Sequence, residues 1–277
     1  MLRIAIQSKG RLYEESMALL EEAGIKIPGG KRTLLVPARN FPVEVLFLRD
    51  DDIPESVASG VTDVGIVGLN EVMEKRCPVG ILKKLGFGKC RLSLAIPQDI
   101  DYLDRNWFSG KKIATSYPGI LSDYLHQNGI VSDIHVITGS VEIAPGIRLA
   151  DAIFDIVSSG STLVSNRLKE VETVVESEAV LIGTDSISPE KRGILDELLF
   201  RFDSVQAADD KKYILMNVPQ KKLNDVLSVL PGIKSPTVMP LADKEWCSVH
   251  TVLDEKCFWE IINRLKTAGA EGILVLD

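Results

Sequence analysis

Short apolar runs rich in Val, Ile and Leu alternate along the chain with stretches whose apolar residues recur every three or four positions. Leu2–Ile6 reads as a strand. After it, Leu12, Ser16, Leu19, Leu20 and Ala23 share a helical face, and Gly24 stops the helix. Val43–Leu48, Asp63–Val67, Arg91–Ile96, Lys112–Thr115, Ile134–Ile137 and Asp151–Val157 read as further strands. Helices are expected over Asp52–Ser59 with Asp52 as N-cap, over Ile120–Gln127, over most of Val141–Leu149, and from Thr162 to Leu168. Short strands separated by helices predict an α/β fold with largely parallel sheets.

The last part has another rhythm. Lys212–Val218 is a strand, and Leu223, Val226, Leu227 and Leu230 make a helical stripe. Thr237–Leu241 and Cys247–Leu253 are strands around a turn. Phe258, Ile261, Ile262 and Leu265 make a second stripe before a final strand, Ile273–Leu276. The order β-α-β-β-α-β predicts a ferredoxin-like domain. The boundary is expected near residue 206, because Gln206–Lys211 is short, polar and without periodicity.

Composition narrows the classes. The 277 residues are 45% hydrophobic and 26% charged, ordinary for a globular protein. The formal charge of −7 and sequence pI of about 5.2 argue against a nucleic-acid partner. No run approaches the roughly 18 apolar residues of a membrane span. Cys77, Cys90, Cys247 and Cys257 form no C-x-x-C pair and no zinc spacing, as expected of free thiols in a reducing compartment. Met1–Gln7 lacks the long apolar core of a signal peptide, so the expected location is cytoplasmic.

Asp151–Leu163 carries the most chemistry. Asp151 and Asp155 are four apart on an expected strand and so share a face. The strand runs into Ser158-Ser159-Gly160-Ser161-Thr162, just before a helix. Hydroxyls, backbone N–H groups and a helix start suit a dianionic phosphate, and the two carboxylates suit sugar hydroxyls or hydrated Mg²⁺. The spacing equally fits a strand–loop–helix junction whose Ser and Thr are caps. Lys9 and Arg11 flank Gly10 at another strand end, where open α/β sheets place ligands. Arg49 precedes three acids at a third strand end. Tyr117 could stack a ring and Glu142 could meet a hydroxyl; each also reads as part of an ordinary helix start. His126, His135 and His250 are scattered, and no Ser-His-Asp or Cys-His set is present.

Taken in order, Ser8–Arg11, Arg49–Pro54, Gly86–Arg91, Ile113–Pro118, Gly139–Glu142 and Asp151–Leu163 resemble the signatures of the ATP phosphoribosyltransferase family. Pro231–Thr237 and Pro240–Asp243 are similar to its long form, which carries a C-terminal regulatory domain. The resemblance spans essentially the whole chain. It implies transfer of 5-phosphoribosyl from phosphoribosyl diphosphate to N1 of ATP, releasing diphosphate, as the first step of histidine biosynthesis. It implies Mg²⁺ as cofactor and a catalytic part of two lobes resembling a periplasmic binding protein. One lobe would hold residues 1–90 plus 172–205, the other 91–171, with a regulatory domain over 206–277.

The resemblance also distributes roles. Ser158, Ser159, Gly160, Ser161 and Thr162 would hold the 5-phosphate, Asp151 and Asp155 would face the ribose and the metal, and Glu142 a ribose hydroxyl. Lys9, Gly10, Arg11 and Arg49 would meet diphosphate or triphosphate oxygens, with Lys9, Arg11 and Arg49 the expected catalytic set and Tyr117 beside adenine. L-Histidine would inhibit through Asn217, Ile233, Ser235, Thr237 and Gly272; other members carry an acid near position 217. AMP and ADP are expected competitors at the ATP site. The expected assembly is a homo-oligomer, from dimer to hexamer. Competing readings are a solute-binding module with the same two lobes, a phosphoribosyltransferase with another acceptor, and a silent regulatory paralogue.

Overall fold

The computed structural model describes residues 1–28, 33–209, 211–231 and 235–276. The chain opens with β1 (Leu2–Gln7), α1 (Arg11–Glu22), β2 (Leu35–Pro37), β3 (Val43–Leu48), α2 (Ile53–Ala58), β4 (Val64–Gly68), α3 (Leu69–Lys75) and β5 (Gly80–Lys84). It continues with β6 (Cys90–Pro97), β7 (Lys112–Thr115), α4 (Pro118–Gln127), β8 (Asp133–Val136), β9 (Ala152–Val157), α5 (Ser161–Ser165), β10 (Leu168–Ser177), β11 (Ala179–Gly183) and α6 (Pro189–Ala208). The last elements are β12 (Lys211–Pro219), α7 (Leu223–Val229), β13 (Thr237–Pro240), β14 (Trp246–Asp254), α8 (Glu255–Ala268) and β15 (Glu271–Leu276). The chain separates into two compact units, Met1–Phe202 and Asp203–Asp277.

The first unit holds two sheets. One has the order β2-β3-β1-β4-β11-β5, and the other β10-β6-β9-β7-β8. In the first, β1 lies between β3 and β4 and runs parallel to both. Its Ile4, Ala5 and Ile6 are fully buried, which explains the unbroken apolar run. A Cβ on Gly65 of β4 would stand 2.6 Å from Ile53 Cγ2, so glycine lets α2 lie close on the sheet. In the second sheet, Leu92 and Leu94 of β6 and Phe154 of β9 pack with Ile113, Ile120 and Leu121.

Both sheets are mixed, which corrects the expectation of largely parallel pairing. β11 runs antiparallel to β4 and β5, and β6 runs antiparallel to β9 and β10. Five elements had no place in the sequence reading: β2, β5, β10, β11 and α3, and α6 makes a sixth. The helix expected from Thr162 to Leu168 is shorter, because Arg167 turns to a φ of 57° and Leu168 already starts β10. The helix expected over Val141–Leu149 is a single 3₁₀ turn, Val141–Ile143. Pro145 cannot donate a backbone N–H, and Arg148 takes a φ of 59°. Asp52 makes no side-chain cap bond and sits in a 3₁₀ turn, Asp50–Asp52. Gln206–Ala208, read as linker, is the end of α6, since Gln and Ala favour helix.

Contacts between α3 and α4 tie the two sheets' layers together. Glu74 accepts from the Gly119 N–H at 2.8 Å and the Ile120 N–H at 2.9 Å, covering the start of α4. Deeper in, the Tyr117 hydroxyl donates to Glu71 at 2.8 Å, and Asn70 Nδ2 donates to both. Ser177 donates to Asn70 Oδ1 at 2.8 Å. Burial raises the Glu71 carboxyl above its ordinary range, while the bond from Tyr117 pulls it back. Tyr117→Phe removes a donor from a buried carboxyl and is expected to cost about 1–3 kcal/mol. Urea denaturation would show this as a lower midpoint at unchanged slope.

The second unit is a four-stranded antiparallel sheet in the order β13-β14-β12-β15, the ferredoxin-like arrangement. Ile214, Met216, Val218, Val249, Phe258 and Leu265 form its core between one sheet face and α7 with α8. The opposite face carries exposed Tyr213, Met239, Val252, Leu274 and Leu276.

Candidate active site

The site forms where the ends of β1 and β3 meet the loop after β9. The Ser8 N–H donates to the Leu48 carbonyl at 2.8 Å, which fastens the end of β1 to β3. Gly10 then turns with a φ of 93°, a conformation costly for other residues, and Arg11 begins α1. Arg11 reaches across to the second sheet. Its Nη1 donates to Ser158 Oγ at 3.0 Å and its Nη2 to the Lys89 carbonyl at 3.2 Å.

β9 delivers Ser158, Ser159 and Gly160 into the first turn of α5. Gly160 has a φ of 80°, and a Cβ there would meet nothing within 4 Å. Only the backbone conformation demands glycine, as in a concave turn of N–H groups. The Ser159 and Ser161 hydroxyls lie 3.0 Å apart. The first turn of a helix leaves its N–H groups without intrahelical acceptors, so this loop gathers donors.

Three cavities adjoin here. One of about 280 Å³ is lined by Glu142, Asp155, Ser158, Ser159, Gly160 and Thr162 among others. A second, of about 430 Å³, shares Ser158 and adds Lys84, Lys89, Cys90 and Arg91. A third, of about 130 Å³, shares Cys90 and Ile156 with these two and adds Gln7, Arg11 and Asp50. The common walls make one trench, acidic at the Asp155 end and of mixed charge beyond it, where Glu176, Glu178, Asp50 and Glu71 stand among Lys84, Lys89, Arg91 and Arg11.

Asp155 is half-buried, and that burial pushes its carboxyl up to about 6; the nearby Glu142 adds to the rise, and the Ile156 N–H opposes it. The Ile156 N–H donates to Asp155 Oδ1 at 2.8 Å. Mg²⁺ bound with a diphosphate needs only one or two carboxylates besides substrate oxygens. Asp155 and Glu142 share a cavity wall and fit that requirement.

Other expected residues lie elsewhere. Asp151 precedes β9, is exposed, and accepts from the Lys112 N–H at 2.9 Å. It therefore sits at the far end of the strand, away from the loop, and the expected pairing with Asp155 is corrected. The two carboxylates therefore stand near opposite ends of β9. Tyr117 is 7% exposed within the apolar cluster of the second sheet, and its hydroxyl is engaged by Glu71 and Asn70. The ring is thus part of the core and not an open stacking surface. Lys9 and Arg49 are exposed at the same strand ends as Arg11, outside the walls of the three cavities. Arg49 Nε donates to Asp51 Oδ1 at 3.1 Å.

Sequence reasoning gave no role to Arg91, Ser93 or Glu170. Arg91 Nη1 donates to the Ser158 carbonyl at 3.2 Å. Two polar residues, Arg91 and Ser93, alternating with leucines in β6 were the available signal. In the second unit, Asn217 and Thr237 lie on the face without helices. A Cβ on Gly272 would come 3.5 Å from Asn217 Nδ2, so these two are neighbours. Ser235 is exposed, and Ile233 lies outside the described residues.

Known proteins resemble this chain along its whole length. The sequence model of the ATP phosphoribosyltransferase (HisG) family matches residues 49–204. That of the HisG C-terminal domain matches residues 208–277. An ATP phosphoribosyltransferase of Bacteroides fragilis is 70% identical over 276 residues, covering 100% of this chain and 98% of that protein. One from Cytophaga hutchinsonii is 58% identical over 275 residues, covering 99% and 96%. Among solved structures, a chain of the ATP phosphoribosyl transferase (HisG:HisZ) complex from Thermotoga maritima superposes with a TM-score of 0.66 at 27% identity, covering 76% of this chain and 100% of that one. A periplasmic sulfonate-binding protein from Methylobacillus flagellatus shares the fold at a TM-score of 0.52 and 16% identity, covering 76% of this chain and 68% of that one. The chain belongs to the ATP phosphoribosyltransferase family, in the long form that includes the C-terminal domain.

Proposed function

We propose that the protein transfers the 5-phosphoribosyl group of phosphoribosyl diphosphate to N1 of ATP, releasing diphosphate, at the start of histidine biosynthesis. The observation that carries this reading is the trench itself. A hydroxyl-rich loop with Gly160 in the left-handed region lies beside a half-buried carboxyl, and Arg11 bridges to it from the opposite sheet.

The chemistry asks little of a base. Adenine N1 offers a lone pair and carries no proton. That pair forms the bond to the anomeric carbon as the carbon–oxygen bond breaks and its electrons leave with diphosphate. The protein must align two anions, stabilise the leaving charge and keep a carboxylate near the electron-poor ribosyl centre. Ser158–Thr162 take the 5-phosphate, and Asp155 with Glu142 face the ribose. Arg11 grips phosphate oxygens, with Lys9 and Arg49 reinforcing it from the rim. Asp155 and Glu142 would also hold Mg²⁺, which supplies charge neutralisation on the diphosphate.

The C-terminal unit would bind L-histidine near Asn217, Thr237 and Gly272. The exposed apolar strip of its sheet fits homo-oligomeric assembly, from dimer to hexamer. AMP and ADP would compete with ATP. Among the described residues no helix is long and apolar enough to cross a membrane, which accords with a cytoplasmic location.

The pH dependence tests the site. A carboxyl raised to about 6 is neutral below that pH, so kcat/KM for the phosphoribosyl donor should fall on the acid side with a midpoint near 6. More Mg²⁺ should move that limb to lower pH, since a bound cation favours the carboxylate. Asp155→Asn should lower the plateau and flatten the limb. An unchanged limb in that variant would remove Asp155 from the site. The stability sign is opposite. The folded state binds the extra proton, so this group's contribution is full below its ordinary range near 4 and is lost as pH rises through about 6.

A further inference from the structure

β6 brings a row of polar side chains to the face that carries the loop. Arg91 lies opposite Val157 of β9 and Glu176 of β10, and Ser93 lies opposite Asp155 and Thr173. Ala95 lies opposite Glu170. Directly paired residues in a sheet project to one face, so Arg91, Ser93, Asp155 and Glu170 all point the same way. The ladder between β6 and β10 is irregular between Glu170 and Glu172. Such an irregularity re-aims a side chain.

Glu170 grips Arg91 with both oxygens. Arg91 Nε donates to Oε1 at 2.5 Å and Nη2 to Oε2 at 2.5 Å. Ser93 Oγ donates to Oε1 at 2.7 Å and Thr173 Oγ1 at 3.2 Å. The carboxylate is thus held by four donors, and Arg91 holds it well down, to about 2. This leaves Nη1 of Arg91 to donate to the Ser158 carbonyl, where β9 ends and the loop begins. Two of the guanidinium's donors are spent on Glu170, so Arg91 acts here as a fixed strut on the loop. A planar fork held bidentately has one orientation, which a lysine could not reproduce.

We propose that the Arg91–Glu170 pair, seated by Ser93 and Thr173, is a positioning device that fixes the phosphate loop through the Ser158 carbonyl and thereby sets affinity for the phosphoribosyl donor. This rests on the reading of Ser158–Thr162 as the 5-phosphate site. In this role the pair acts through the loop and not on the reacting atoms.

The test uses the full-length protein and ribose 5-phosphate as the calorimetric probe. Glu170→Gln keeps the shape and removes the charge. It should weaken ribose 5-phosphate and raise the KM of phosphoribosyl diphosphate by about tenfold, with kcat and the KM of ATP changing far less. Arg91→Lys should do the same, and the double variant should be no worse than the poorer single. Ser93→Ala, which removes only one support, should give a smaller rise in the same parameter, and it keeps the test open should Glu170→Gln not fold. Unchanged binding in folded Glu170→Gln, or fully additive losses in the double variant, would overturn the proposal. Ser161→Ala and Thr162→Val separate the two levels. If they weaken the probe while Glu170→Gln does not, only the strut falls. If they leave the probe unaffected, the loop is not the phosphate site, and the strut falls with it.

Discussion

Arg11→Ala is expected to lower kcat/KM for phosphoribosyl transfer by about 10²–10³-fold, with a folded protein and little change in denaturation midpoint. The side chain is exposed, so its loss opens no core cavity. What it loses is specific. Nη1 holds Ser158 Oγ at 3.0 Å and Nη2 holds the Lys89 carbonyl at 3.2 Å, so one guanidinium spans the loop and the start of β6. Charge-assisted hydrogen bonds contribute roughly 1.5–3 kcal/mol each, and each 1.4 kcal/mol is tenfold. On the proposed reading the cation meets the charge that grows on diphosphate as it leaves, and so matters more in the transition state than in the ground state. Steady-state kinetics with both substrates varied would check this. Arg11→Lys should recover part of the loss through charge alone. A smaller decrease is expected for Arg49→Ala, because its side chain is 75% exposed and already paired with Asp51 at 3.1 Å. Normal kinetics in Arg11→Ala would contradict the assignment of the trench.

The second large effect concerns regulation. Ending the chain after residue 205 removes all four strands of the C-terminal sheet, and inhibition by L-histidine should vanish. A milder change asks the same question of the intact protein. Gly272 has a φ of 55° and stands against Asn217, so Gly272→Val puts a branched side chain into a strained position over that amide. The half-inhibitory concentration of L-histidine should rise by about 5- to 150-fold, the usual span of an allosteric coupling. Initial rates across a histidine titration would show it. Undiminished inhibition in both proteins would mean that the effector binds elsewhere.

How much of this was legible beforehand depended on whether the signal was local. The loop after β9 could be read because five small residues follow an apolar strand directly. The ferredoxin-like unit could be read because its two helical stripes and four strands keep clean periods. β10 escaped notice because Lys169–Glu172 mixes charge into the run, and two irregularities against β6 break its alternation. The 3₁₀ turn at Val141–Ile143 was mistaken for a helix because apolar spacing outweighed Pro145. Asp151 matched its partner in spacing but lies one residue outside the strand. The Arg91–Glu170 pair was invisible because its members are 79 residues apart and meet only when β6 and β10 do. Tyr117 followed a strand like a ligand-facing residue, yet Glu71, 46 residues earlier, claims its hydroxyl in the core.

A single assay decides whether the protein carries out the reaction. Purified protein is mixed with ATP, phosphoribosyl diphosphate, Mg²⁺ and diphosphatase, and absorbance near the adenine band is followed with and without L-histidine. Steady growth of an N1-substituted adenine spectrum is expected, with two phosphates appearing per product and suppression by L-histidine. Absence of product from a folded sample that still binds ribose 5-phosphate would contradict this reading and point to a different acceptor or to a binding role.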